Sequence, residues 1–91
     1  MARRADDSRS FAIKSDLHAI GNALEGALPA DRLESFRQLV DVGETLVALE
    51  NLCDNLGDDE VHVSTRVLTH IRKVGEELGL PARYWQRLPS T

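Results

Sequence analysis

The feature that most constrains this 91-residue chain is an unbroken apolar seam. Val42, Leu46, Leu49, Cys53 and Leu56 follow one another at steps of 4, 3, 4 and 3 residues. Only an α-helix puts such positions on one side, where they lie within an arc of about 80°. Leu52 and Thr45 sit on its flank, while Glu44, Glu50, Asp54 and Asp58 fall on the opposite arc. The segment reads as a helix with one stripe for a core and one acidic stripe. A helix of this length gains most of its stability from packing that apolar stripe against other elements.

The rest of the chain supplies more helices. Phe11, Ile13, Leu17, Ile20, Leu24 and Leu28 recur at helical spacing, with Ser8 or Ser10 able to cap the start and Gly26 with Pro29 closing the end. Gly21 inside this run is either a weak spot or a place of close helix approach. Asp31 is the expected N-cap of a second helix, with Glu34 at capping-box spacing and Leu33, Phe36, Leu39 and Val40 as its apolar set. Gly43 then leaves residues 31–56 as either one kinked helix or two joined by a tight turn. Gly57 ends the acidic-striped helix, and Asp58-Asp59-Glu60 makes a loop. After a brief extended Val61-His62-Val63, Ser64 is placed to cap a helix with the seam Val67, Ile71, Val74 and Leu78, flanked by Leu68. Gly79 before Leu80-Pro81 stops it, and Pro81 starts a last turn with Tyr84, Trp85 and Leu88 on one side. The expected fold is all-α: a small bundle of four or five short helices, with no sheet. Residues 10–91 form its single domain, behind a disordered polar tail at 1–9.

Composition narrows the class. The chain is too short for two domains, and 42 % apolar residues suffice for one thin core. One cysteine excludes an internal disulfide and a cysteine-rich zinc site, and fits a reducing compartment. Asp6 and Asp7 interrupt the N-terminus where a secretory signal needs an apolar stretch, and no apolar run approaches a membrane span. The cytoplasm is the expected location. The net charge of −4 argues against general phosphate-backbone binding. That charge is unevenly spread: residues 1–30 are neutral, residues 31–60 carry nine acids against Arg32 and Arg37, and residues 61–91 sum to +3. The acidic middle is either a solvated face balanced by the C-terminal third or a docking surface for a basic partner.

No chemistry emerges from the remaining residues. Cys53 lies in the apolar seam, as a small core residue does. His18, His62 and His70 lack the spacing of metal or catalytic partners. Close carboxylate pairs are expected by chance among fifteen acids, and the six glycines are dispersed rather than gathered in a phosphate loop. Arg66, Arg72 and Lys73 point to different flanks of their helix, beside the acidic segment, which disfavours a recognition helix for DNA. The expectation is therefore no enzyme, no cofactor, no metal and no direct nucleic acid, but a protein-binding module. Tyr84 and Trp85 either close the open end of the bundle or serve as an aromatic anchor for the partner.

The stretch Gly43-Glu44 followed by Ala48-Leu49-Glu50-Asn51-Leu52-Cys53-Asp54-Asn55-Leu56 resembles the central motif of the MafI family of immunity proteins. Val61-His62-Val63-Ser64 is similar to the step that follows it there, and Gly79-Leu80-Pro81-Ala82-Arg83-Tyr84-Trp85 to the family's closing helix. The likeness covers about residues 36–88; Thr45-Leu46-Val47 departs from the family's pattern, and the N-terminal third matches poorly. The resemblance implies an immunity protein of a bacterial polymorphic or contact-dependent toxin system. It would bind the C-terminal domain of a cognate toxin, commonly a nuclease, in the cytoplasm.

Together these readings point to an immunity protein, monomer or dimer when free, that neutralises a basic toxin domain. The expected contact residues are Glu44, Glu50, Asp54, Asp58, Asp59 and Glu60. Glu44 and Glu50 have a structural alternative, holding a helix end or pairing with Arg66 or Arg72. The alternative function is a regulatory helical module, either an antitoxin or a subunit of a larger assembly.

Overall fold

A computed structural model describes residues 3–90, with side chains from Arg9 onward. Five helices follow in order: α1 (Arg3–Ala23), α2 (Ala30–Asp41), α3 (Thr45–Asp58), α4 (Thr65–Leu78) and the single turn α5 (Arg83–Gln86). The architecture is all-α, and no strand occurs among the described residues. One isolated bridge joins Val63 to Ser90, with the Val63 amide donating to the Pro89 carbonyl at 2.9 Å. It returns the end of the chain to the α3–α4 connection.

The core forms one cluster drawn from every helix. Leu17 and Ile20 of α1 meet Phe36 and Val40 of α2, Leu49, Leu52 and Leu56 of α3, and Ile71 and Val74 of α4. Trp85 and Leu88 close the cluster from the C-terminal turn. Polar ties hold α1 along both neighbours: His18 meets Asp41 at 2.8 Å, Arg37 donates to Asn22 Oδ1 at 3.1 Å, and His70 meets Asp16 at 3.3 Å.

Four helix ends differ from the sequence reading: α1 stops at Ala23, short of Gly26 and Pro29, α3 runs through Gly57 to Asp58, and the starts of α1 and α2 shift as well. α1 begins at Arg3, so it takes in residues 3–9 of the segment expected as a disordered tail; Met1 and Ala2 lie outside the described residues. Nothing in that stretch breaks a helix, and Arg9 donates to the Glu77 carbonyl at 3.3 Å. Ser8 and Ser10 consequently lie inside α1 rather than at its cap. α2 starts one residue before Asp31, after an extended Pro29, and no side chain caps it. Proline at that position pre-sets the chain and has no amide to satisfy, which suits a helix start without a capping side chain.

Gly43 divides residues 31–56 into two helices. It adopts φ +89°, and its amide donates to the Val40 carbonyl at 3.0 Å. The break removes Val42 from the α3 seam and leaves it 73 % exposed. Leu46, also expected in the seam, is 40 % exposed, and Ala48 and Leu52 join Leu49, Cys53 and Leu56 in the buried set instead. Phe11 also leaves the expected core, being 75 % exposed. It lies about 120° around the helix from Leu17, off the stripe that Ile13, Leu17, Ile20 and Leu24 share.

The fourth helix follows its signals closely. Ser64 accepts from the Val67 amide at 3.2 Å. At the other end Gly79 takes φ +77°, its amide donates to Glu76 and the Leu80 amide donates to Gly75, which is the paired closure of a glycine-terminated helix.

Candidate acidic interface

The six expected contact residues come to the solvent side of α3 and the loop that follows it. Glu44 precedes the first turn of α3, Glu50 and Asp54 stand along the helix, Asp58 ends it, and Asp59 and Glu60 begin the loop to α4. The structure divides them into two sets.

The first set has internal partners. The Tyr84 hydroxyl donates to Glu50 Oε2 at 3.3 Å in a half-buried contact. Arg87 Nη2 donates to Asp54 Oδ1 at 3.0 Å. Asp59 lies 3.9 Å from Arg32 Nη1, which also donates to Asn55. For Glu50 and Asp54 the C-terminal segment supplies the counter-group. The pairing of Glu50 with Arg66 or Arg72 does not form: Arg72 instead meets Glu76 one turn along α4 at 3.7 Å. Glu44 makes no such pair either.

The second set is Glu44, Asp58 and Glu60. Among the described residues none has an ion-pair partner, and Asp31 and Glu34 of α2 share that condition. Glu60 also stands at φ +52°, the left-handed region where a side chain costs about 1–2 kcal/mol relative to glycine. A carboxylate is thus held in the loop despite a backbone that favours glycine.

Between α2 and α3 runs a groove of about 270 Å³, lined by Asp31, Ser35, Leu39, Asn51 and Asp54 among others. It is open to solvent and polar along its rim, a shape suited to a side chain from a partner rather than to an enclosed ligand. The one cysteine offers no nucleophile. Cys53 is fully buried, and burial, helped by the charge of Asp54, pushes its thiol up to about 12. Among the described residues no group of three His, Cys, Asp or Glu side chains is placed to hold a metal ion. Nor is any described helix long and apolar enough to cross a membrane.

Trp85 is 7 % exposed and packs against Gly75 of α4, so it closes the end of the bundle. Sequence reasoning missed Arg32, Tyr84 and Arg87 as partners of the acidic face. The +3 charge of residues 61–91 was the available signal, but charge totals carry no pairing information. The chain matches no family model, no curated protein and no solved structure.

Proposed function

We propose that the chain is an immunity protein that binds and neutralises a cognate bacterial toxin domain, a basic nuclease, in the cytoplasm. The observation that carries this reading is the set of carboxylates on α3 and its following loop, Glu44, Asp58 and Glu60, that make no ion pair among the described residues. Asp58 and Glu60, two residues apart, repel one another and are relieved by a cationic partner, and Glu44 adds to the negative potential at the other end of α3. A nuclease is cationic because its own substrate is a polyanion. The likeness of residues 36–88 to the MafI pattern supports the same assignment.

Inhibition on this reading needs no chemistry from the chain. Glu44, Asp58 and Glu60 steer the toxin domain, and Glu50, Asp54 and Asp59 exchange their internal partners for its Lys and Arg side chains. Steering raises the association rate and is weakened by salt, whereas pairs desolvated on contact govern dissociation. The test is co-expression with the C-terminal domain of the polypeptide encoded immediately upstream. Growth arrest by that domain alone and recovery with this chain is the expected result; arrest that persists beside abundant folded chain contradicts the reading.

A further inference from the structure

The outer face of α3 is not acidic throughout. Its first turn carries Leu46 and Val47, 40 % and 39 % exposed, and Val42 just before it is 73 % exposed. Three branched aliphatic side chains within six residues therefore stand in solvent where α2 turns into α3. The turn presenting them is closed by two amides, Gly43 to Val40 at 3.0 Å and Glu44 to Leu39 at 2.9 Å. Val47 shares one helical stripe with Asn51, Asp54 and Asp58, and Leu46 lies one turn before Glu50. The face is apolar at its N-terminal end and acidic towards its C-terminal end.

We propose that Val42, Leu46 and Val47 form the desolvated centre of the partner-binding surface, bordered by Glu44 and Glu50, with Asp58 at the far end of the same helix face. The partner then presents one or two apolar side chains set among Lys and Arg residues. This deepens the toxin-binding reading and rests on it. Binding energy concentrates where contacts exclude water, and charged rims mainly set encounter rate and partner choice. Carboxylates alone would give an attraction that weakens steadily as salt rises. The carboxylates beside the patch, Glu44 and Glu50, favour a partner whose apolar side chains are set among cations over one that is apolar alone.

The experiment titrates the purified chain, at about 0.15 M salt, with an inactivated form of the C-terminal domain encoded immediately upstream. The variant is Leu46→Glu with Val47→Glu, which adds negative charge while removing the apolar centre. The proposal predicts a dissociation constant raised about tenfold or more, with circular dichroism unchanged. Equal or tighter binding shows that charge alone recognises the partner and overturns the proposal, leaving the function reading intact. If the wild-type chain does not bind this domain, the function reading falls and the proposal with it. Should the double variant unfold, Val42→Glu, placed in a turn, decides: weaker binding supports the proposal and unchanged binding overturns it. Sedimentation velocity of the free chain is expected to show a monomer. A dimer that Leu46→Glu with Val47→Glu dissociates assigns the surface to a second copy and overturns the proposal.

Discussion

Arg87 reaches from the C-terminal segment to Asp54 on α3, its Nη2 donating to Oδ1 at 3.0 Å. The guanidinium lies over Gly57, where a Cβ would stand 3.0 Å from its central carbon. An internal cation thus covers part of the acidic face at the position where a partner's base would pair. Both side chains are about half exposed, so the pair contributes little to folding, less than about 1 kcal/mol.

Arg87→Ala should therefore leave the melting temperature nearly unchanged while making the face more negative. The association rate with the proposed basic toxin domain is expected to rise a few-fold, with a steeper dependence on salt. Stopped-flow mixing at two ionic strengths measures both. An unaltered rate contradicts the view that Arg87 screens this face.

Gly75 is required by Trp85. A Cβ at Gly75 would lie 2.5 Å from Trp85 Cζ3 and 2.9 Å from Cε3, closer than packed atoms come, and the indole is rigid. Gly75→Ala should cost about 1–3 kcal/mol through displacement of the ring. Tryptophan emission, blue in the wild type because Trp85 is buried, should shift to the red in the variant. A variant with wild-type stability and emission contradicts the packing.

Burial raises the Cys53 thiol to about 12, above its unfolded value, so the folded chain holds this proton more tightly than the unfolded chain does. The resulting stability is complete below the unfolded thiol pKa and declines between about pH 9 and 12, by at most about 1.4 kcal/mol per pH unit. Cys53→Ala should be less stable near neutrality because of the cavity, yet show a shallower alkaline decline. Denaturant midpoints at pH 7, 9 and 10 compare the two, and parallel declines refute the assignment. The native thiol should also resist a disulfide reagent until the chain is unfolded.

Glu60→Gly removes a side chain from a left-handed backbone, and removes one negative charge from the loop. A gain in stability of up to about 1 kcal/mol is expected, with a slower association with the toxin domain. Thermal melts and association kinetics give the two values. Lower stability in the variant would mean that Glu60 makes contacts beyond those described.

Helix identity was legible because period and punctuation agreed. Ile71 and Val74 lie on an apolar stripe, Ser64 caps it and Gly79 ends it, and each of these acts locally. The seam around Cys53 was legible only in part. Periodicity alone extended it to Val42, whereas the left-handed Gly43 cut the helix and sent Val42 to solvent. Phe11 was misread for a related reason, since hydrophobicity outweighed its angular position on α1. At the acidic face, residue type showed where carboxylates lie. Which of them are balanced was not legible, because Arg87 and Tyr84 are more than 30 residues away in sequence and only the tertiary fold brings them to Asp54 and Glu50.

The central claim is that uncompensated carboxylates on α3 and its loop bind a basic toxin domain. Glu44→Lys, Asp58→Lys and Glu60→Lys combined reverse the three that have no internal partner and disturb no described ion pair. The most direct measurement is the affinity of this triple variant for the inactivated toxin domain at about 0.15 M salt, beside circular dichroism of the free chain. A wild-type fold and an affinity lowered about a hundredfold or more are expected. A folded triple variant that binds as tightly as the wild type contradicts the claim.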